Sequence, residues 1–184
     1  NLMLARLVGD IGVSTFSVLS FIYSLANAVF SGVAQGLQPL WGQCYGRKDT
    51  EEMKWYFRRG LIINTVFSVM IYGGLVLFDV PVIRIFNKEP ELIAAASAAL
   101  PMFALSFIPM SLNLIYTAYF FSTKRTVTAD AIAVSRGVAV KALMIFCIPL
   151  IFGTETIWIA PFVTEVLTLI AAVVLSRTTK LIYR

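Results

Sequence analysis

The sequence contains no histidine, only two cysteines, and few charged residues, which make up 14% of its 184 positions. Without histidine, the chain lacks the commonest metal ligand and the usual proton carrier near neutral pH. Cys44 and Cys147 both lie in apolar segments, as small buried residues do, and they indicate no disulfide framework. Charged residues form about 25% of an average soluble domain, so this composition excludes an ordinary soluble protein.

Charge is also absent locally, because no Asp, Glu, Lys or Arg occurs between residues 11 and 46. A helix that crosses a bilayer needs about 20 predominantly apolar residues, so this segment is more than long enough. Hydrophobic residues make up 59% of the chain, and the mean hydropathy is +0.83. The composition therefore predicts an all-α, polytopic membrane helix bundle whose first partner is the lipid bilayer.

Charged residues divide the chain into a single membrane domain, residues 1–184, with five full spans and the end of a sixth. Residues 1–7 are apolar but too short to cross, and they stop at the turn signal Gly9-Asp10. The full spans are predicted at about residues 13–44, 54–78, 92–122, 128–152 and 156–178. This arrangement predicts an even-numbered bundle cut through its first helix.

Glycine and proline predict interruptions within two of these spans. The first full span is longer than a bilayer requires, and its helix is predicted to break or kink at Gly32, Gly36 and Pro39. The span at residues 92–122 is predicted to be interrupted by Pro101 and Pro109. Both spans are therefore expected to be bent rather than straight.

The connections between the spans carry two further predictions. Thr50 is the predicted N-cap of the helix that follows the basic loop at Arg47, because threonine is a favoured capping residue. Residues 79–90 are predicted to form a loop.

Lysine and arginine are distributed unevenly between the two ends of the predicted bundle. Three lie at one end (Arg6, Arg84 and Lys88), and ten lie at the other. The ten are Arg47, Lys48, Lys54, Arg58, Arg59, Lys124, Arg125, Arg177, Lys180 and Arg184. Positively charged loops face the cytoplasm, which predicts a cytoplasmic C-terminus in a plasma (inner) membrane. Basic residues clustered between apolar spans do not form one polar face, so the net charge of +5 does not indicate a nucleic-acid partner.

Three charged residues, Arg136, Lys141 and Glu165, lie well inside predicted spans, away from their ends, where each costs about 2.5–3.5 kcal/mol on insertion scales. Lys141 and Glu165 each lie about twelve residues, or roughly 18 Å, from the turn near Gly153. An antiparallel hairpin would bring them to the same depth, which predicts that they can pair. The pair could fix the helix register, or the carboxylate could release the lysine when a proton, sodium ion or cationic substrate arrives. Arg136 could extend to the headgroups.

Uncharged polar residues inside the spans form a second set of candidates. Hydrogen bonds between helices, at about 0.6 kcal/mol each, explain most such groups in membrane proteins. Gln35 and Gln38 are three residues apart and therefore share a helix face. The candidates for lining a substrate cavity are Gln35, Gln38, Asn27, Asn113 and Tyr116. Gly32 and Gly36, spaced by four, are predicted to form a close-packing face.

The sequence offers little support for catalysis. No carboxylate pair, glycine-rich phosphate loop, metal-ligand cluster or nucleophile with an adjacent base stands out. We therefore expect neither an enzyme nor a metal site, and no organic cofactor.

Several motifs resemble a known family. The stretch Gly32-Val-Ala-Gln-Gly-Leu-Gln-Pro39, followed by Cys44-Tyr-Gly-Arg-Lys-Asp49, resembles the eighth-helix signature of multidrug and toxic compound extrusion (MATE) transporters. Phe120-Phe-Ser-Thr-Lys-Arg125, Arg136 and Trp158-Ile-Ala-Pro-Phe-Val-Thr-Glu165 resemble later landmarks of the same C-terminal lobe. In spacing, the resemblance covers almost the whole chain.

The resemblance implies a twelve-helix transporter built from two six-helix lobes, of which this chain is the C-terminal one. Such proteins export small cationic, amphiphilic compounds in exchange for sodium ions or protons by alternating access. The implied partners are the absent N-terminal lobe, the cationic substrate and a coupling ion, Na⁺ or H⁺. Glu165 matches a carboxylate in the twelfth helix of some relatives. Gln35, Gln38, Asn113 and Tyr116 are the expected wall of the cavity.

Two alternatives remain open at this point. A lipid-linked oligosaccharide flippase of the same superfamily would favour a cavity lined by several basic residues, for which only Arg136 and Lys141 are available. A non-transporting membrane scaffold would satisfy all its polar groups inside the bundle and leave no open polar groove. Whether Gln35 and Asn113 face one concave surface separates the scaffold from the transporters.

Overall fold

The computed structural model describes residues 2–134, 140, 143–144, 147 and 153–178. Regular structure in this part of the chain is entirely helical, which confirms the predicted all-α bundle. The helices are α1 (Leu2–Arg47), α2 (Thr50–Leu77), α3 (Asp79–Phe86), α4 (Pro90–Ala104), α5 (Phe107–Ser122), α6 (Thr126–Val134) and α7 (Ala160–Thr178). A 3₁₀ helix, Thr154–Ile159, leads into α7.

Several of these helices are long and apolar enough to cross a membrane. Among the described residues, three helices meet this criterion individually: Gly9–Arg47, Thr50–Leu77 and Thr156–Ser176. Helices α4 and α5 qualify together as one span, bent by 44°. The bend lies between Pro101 and Pro109, as their positions predict. Most of the predicted span at residues 128–152 lies outside the described residues.

The backbone of α1 departs from helical geometry at Gly9, where φ is 71° and ψ is −170°. From Asp10 to Arg47 the helix continues without another such residue, so a break at Gly32, Gly36 or Pro39 is contradicted, whereas a kink within the helix at these residues stays a prediction. Glycine permits a break but does not impose one, and an internal proline can be accommodated by a kink without a residue leaving helical φ and ψ. The positive φ at Gly9 is a conformation that favours glycine.

Close packing between helices occurs at Gly60 of α2. A Cβ atom built there would lie 2.6 Å from Leu37 Cδ1 of α1 and 3.4 Å from Ile115 Cδ1 of α5. At Gly32 and Gly36 a Cβ would meet no described atom within 4 Å, so these two glycines do not form the predicted packing face in this structure. Among the described glycines, Gly60 is therefore the one at which α1, α2 and α5 leave no room for a side chain.

We expect Gly60→Leu to lower stability by about 1–3 kcal/mol, because added atoms in a packed core force its neighbours apart. Gly73→Leu is the matched control, since it adds the same side chain on the same helix where a Cβ would meet no described atom within 4 Å. The apparent melting temperature of the full-length protein in detergent measures the difference. Equal melting temperatures for the two variants would contradict the packing described for Gly60.

Helix α5 lies at the centre of the bundle, in contact with α1, α2, α6 and α7. Asn64 of α2 is fully buried beside it and donates through Nδ2 to the carbonyl oxygens of Ser111, at 2.9 Å, and Phe30, at 3.4 Å. These bonds tie α1, α2 and α5 together. Asn64 is therefore one of the polar groups that serve helix association, as sequence reasoning expects for most of them.

Two local predictions are corrected at the ends of α2. Its N-cap is Asp49 rather than Thr50, because the Asp49 carboxylate accepts a hydrogen bond from the Glu52 backbone N–H at 3.0 Å. Beyond its other end, the predicted loop at residues 79–90 contains α3, whose apolar side chains pack against α4. Helices α2 and α3 thus reach the end of the bundle opposite the basic loop at Arg47.

Candidate functional site

The carboxylate of Glu165 is the one buried acidic side chain among the described residues, with 3% of the residue exposed. It lies in the second turn of α7, within the candidate span Thr156–Ser176. The neighbouring hydroxyls of Thr164 and Thr168 donate to backbone carbonyls of α7 itself, at 2.9 Å each. The hydrogen-bond donors that hold Glu165 therefore come from other helices.

Within the described part of the chain, two helices supply those donors. Tyr23 of α1 donates its hydroxyl to Glu165 Oε1 at 3.2 Å, and Asn113 of α5 donates Nδ2 to Oε2 at 2.8 Å. The same Asn113 nitrogen lies 2.9 Å from the backbone oxygen of Glu165. We call these three side chains the Glu165 cluster. Three helices thus meet at a single carboxylate.

The aromatic ring of Tyr23 is fixed by its surroundings. It packs edge-on against Phe103 and Phe107, with ring centroids 6.2 and 6.1 Å away. This contact orients the hydroxyl towards α7 and restricts its rotation. Sequence reasoning missed Tyr23, which lies 142 residues from Glu165 along the chain.

Asn113 has an unsatisfied acceptor. It is fully buried, and its Oδ1 has no hydrogen-bond partner among the described residues. An unsatisfied buried acceptor costs about 1–3 kcal/mol. Carboxylate and amide oxygens are the ligands that hard cations prefer. The Glu165 cluster therefore offers chemistry suited to a proton on the carboxylate or to a sodium ion.

The predicted ion pair between Lys141 and Glu165 cannot be placed, because Lys141 lies outside the described residues, as does Arg136. The pairing therefore stays a prediction. The described residues add Tyr23 and Asn113 to the surroundings of Glu165.

The predicted cavity residues fall into two groups. Gln35 and Gln38 lie on α1 along a small groove of about 110 Å³ that α1 forms with α5. Gln35 is exposed and Gln38 is half-buried, as is Asn27, whose Oδ1 has no partner among the described residues. Gln35 and Gln38 thus line a surface groove, whereas the role of Asn27 in lining a cavity stays a prediction.

Asn113 and Tyr116 do not lie on that surface, so the prediction that they form an open wall with Gln35 is wrong for this lobe. Asn113 faces Glu165, and Tyr116 is 7% exposed, with its ring 5.1 Å from that of Phe57. Both are interior residues of the bundle. Their polarity reflects hydrogen bonding and packing within the lobe rather than contact with an aqueous groove.

The exposed surfaces of α1 and α2 differ sharply in chemistry. On α2 the exposed side chains are large and apolar: Ile62, Ile63, Val66, Phe67, Val69 and Met70. Towards the C-terminal end of α1 there is an exposed strip that we call the small-polar face: Gly32, Gln35, Gly36, Pro39, Gly42, Gln43 and Gly46. Large apolar residues suit lipid, whereas small residues and amides suit contact with protein or a polar pathway.

A curated plant protein is similar to a large part of this chain. Protein DETOXIFICATION 28 from Arabidopsis thaliana is 28% identical over 134 residues. That match includes 71% of this chain and 25% of the relative. The chain therefore spans about a quarter of the curated relative that it matches.

Solved structures share the fold. An outward-facing multidrug resistance MATE family transporter of the MOP superfamily matches with a TM-score of 0.87 at 16% identity, over 95% of this chain and 40% of that one. The MATE multidrug transporter DinF-BH in complex with R6G matches with a TM-score of 0.81 at 25% identity, over 98% and 41%. A MOP superfamily transporter from Pyrococcus furiosus has a TM-score of 0.87 at 15% identity, over 95% and 40%. The family model of MatE matches residues 1–146, most of the sequence, and the chain therefore belongs to the MatE family.

Proposed function

We propose that this chain is the C-terminal lobe of a secondary active antiporter that exports cationic, amphiphilic compounds in exchange for sodium ions or protons by alternating access. The observation that carries the proposal is the Glu165 cluster. Ionisable residues within membrane spans are costly and typically mark ion or substrate pathways, and here the carboxylate lies beside an amide oxygen that has no donor among the described residues. Likeness to transporters over about 40% of their length supports one lobe of a larger protein.

The cluster can convert ion binding into helix movement. Tyr23 and Asn113 donate to opposite oxygens of one carboxylate, and they belong to α1 and α5. A proton or sodium ion on the carboxylate changes which of these bonds is favourable, and so favours a different packing of α1 against α7. An ion can shift such an equilibrium only through this difference in affinity between two packings.

The small-polar face supplies the substrate side of the proposal. It begins nine residues after Tyr23 on the same helix, so movement of α1 at the cluster is transmitted to it. Its amide groups and small residues leave room for a bulky amphiphile, and it carries no lysine or arginine that would repel a cation. This composition favours a cationic substrate over the anionic lipid-linked oligosaccharide of a flippase, and the groove beside Gln35 counts against a scaffold.

Transport by the full-length protein in proteoliposomes tests the proposal. A fluorescent cation should accumulate against its gradient when an opposing sodium or proton gradient is imposed. Accumulation should collapse when an ionophore dissipates that gradient. Movement of the cation that only equilibrates, whatever the gradient, would contradict antiport.

We also propose the orientation, with the basic loop at Arg47 and the C-terminus facing the cytoplasm of a plasma (inner) membrane. Lys48→Cys and Glu89→Cys place thiols in the loops at opposite ends of the bundle, in a background with Cys44 and Cys147 replaced by serine. An impermeant maleimide should label Glu89→Cys in intact cells and Lys48→Cys only after permeabilisation. The reverse pattern would contradict this orientation.

A further inference from the structure

A cleft of about 630 Å³ lies between α3 and α4, at the end of the bundle opposite the basic loop at Arg47. It shares no lining residue with the Glu165 cluster or the small-polar face. Its described lining residues are Val80, Arg84, Lys88, Pro90, Ile93, Ala94 and Ser97. Its volume falls within the range of about 300–1,000 Å³ that is typical of small-molecule sites.

The cleft combines apolar walls with two exposed cations. Arg84 lies in the last turn of α3, and Lys88 follows in the connection to α4, where Asn87 Oδ1 accepts the Glu89 N–H at 2.8 Å and orders the turn. Neither cation forms an ion pair within the part of the chain that the structure describes. Both are therefore available to an anionic group at the mouth of the cleft.

Ser97 provides a third, independent feature. Its Oγ is buried and has no hydrogen-bond partner among the described residues. Other buried serines of the bundle donate to a backbone carbonyl three residues earlier, as Ser106 does with Phe103 at 2.7 Å and Ser111 with Ile108 at 2.8 Å. A hydroxyl left unpaired at the wall of a cleft can instead donate to an oxygen of a bound molecule.

The surroundings place the cleft at the surface of the bilayer. The residues leading into and along α3 expose large apolar side chains, with Leu77 77%, Phe78 60% and Ile85 80% exposed. Exposed aliphatic and aromatic groups beside a cationic helix end are typical of a helix lying at the boundary between headgroups and acyl chains. An occupant from the membrane can therefore enter the cleft directly.

We infer that this cleft binds an anionic phospholipid. The phosphate lies between Arg84 and Lys88, where charge-assisted hydrogen bonds are strongest, and an acyl chain runs along Val80, Ile93 and Ala94. The Ser97 hydroxyl donates to an oxygen of the glycerol ester region. A free phosphate would leave the apolar walls unused, and a neutral or zwitterionic lipid would leave the two cations without a net countercharge.

Native mass spectrometry of the full-length protein in neutral detergent tests this inference. With phosphatidylglycerol and phosphatidylcholine added at equal concentration, wild type should retain phosphatidylglycerol in preference. Arg84→Gln combined with Lys88→Gln should lower that retention about tenfold. Arg58→Gln combined with Lys124→Gln removes the same charge from the opposite end and should keep wild-type retention. Equal retention of both lipids by wild type, or equal loss in both double variants, would overturn the inference.

Two further experiments distinguish the effect of cleft volume from that of charge, and binding of a whole lipid from binding of its headgroup. Ala94→Phe fills the cleft while both cations remain, and it should also reduce phosphatidylglycerol retention about tenfold. Arg84→Lys combined with Lys88→Arg keeps the charge and should retain the lipid, which controls for folding. Glycerol phosphate added alone should not bind. Binding of glycerol phosphate as tight as that of the lipid, or undiminished lipid retention in Ala94→Phe, would show that the apolar cleft does not hold a phospholipid.

Discussion

Glu165→Gln should abolish uphill accumulation of a fluorescent cation by the full-length protein. It should also lower the gradient-driven rate of transport by about tenfold or more, a factor within the roughly 5–150-fold effect of coupling between two linked sites. Glutamine keeps the size of the side chain and an oxygen that can accept from Tyr23 or Asn113. It cannot take up a proton or balance the charge of a sodium ion. Initial rates in proteoliposomes, with and without an imposed ion gradient, measure the effect.

Glu91→Gln is the matched control for this result. Glu91 is an exposed carboxylate in the first turn of α4, outside the Glu165 cluster, so its neutralisation should leave transport at the wild-type rate. Downhill exchange of substrate should persist in Glu165→Gln, because the small-polar face is unaltered. Unchanged ion dependence in Glu165→Gln would remove Glu165 from the coupling mechanism.

Asn113→Leu should be among the most destabilising single substitutions in the lobe. It removes the donor to Glu165 Oε2 and leaves a buried carboxylate without that partner, which costs about 1.5–3 kcal/mol for a hydrogen bond to a charged group. The apparent melting temperature in detergent should fall accordingly. When combined with Glu165→Leu, which removes the charge as well, the loss should be smaller than the sum of the two single losses by about 0.5–3 kcal/mol.

Asn64→Leu is the control for this double-mutant cycle of Asn113 and Glu165. Asn64 is as deeply buried as Asn113, but it donates to backbone carbonyls of Phe30 and Ser111 and shares no partner with Glu165. Its effect should add to that of Glu165→Leu. If both cycles were additive, the hydrogen bond between Asn113 and Glu165 would contribute nothing specific to the cluster.

The class of protein was predictable because the composition of one continuous segment of the sequence determines it. A segment without charge from residue 11 to residue 46 has few alternatives to a membrane helix, whatever its tertiary contacts. The bend between α4 and α5 was equally readable, since Pro101 and Pro109 restrict the local backbone. Both predictions depend on residues close together in the chain.

Errors arose where several nearby residues could serve the same purpose. Gly32, Gly36 and Pro39 all permit a break in α1, but the one described residue of this helix with non-helical φ and ψ is Gly9, within the predicted turn signal Gly9-Asp10. Asp49 and Thr50 are both good capping residues, and the carboxylate of Asp49 is the one that reaches the Glu52 N–H. Local residue propensity therefore reduces the number of candidate residues but does not identify the one that breaks or caps the helix.

The site was visible only in part. Glu165 stood out because a charge inside a span needs a reason, but Asn113 lies 52 residues from it and Tyr23 lies 142. No local pattern joins residues at such separations. Asn113 also shows why the cavity wall was predicted wrongly. In the sequence, an amide that faces another buried group cannot be distinguished from one that faces water.

The central claim is that Glu165 holds an ion which the substrate displaces, and ion release on substrate binding measures it most directly. The full-length protein in weakly buffered detergent solution is mixed with a cationic substrate while a pH indicator and a sodium electrode record release. We expect wild type to release a proton or a sodium ion when it binds the cation, and Glu165→Gln to bind the cation without release. Equal release from both proteins would contradict the account.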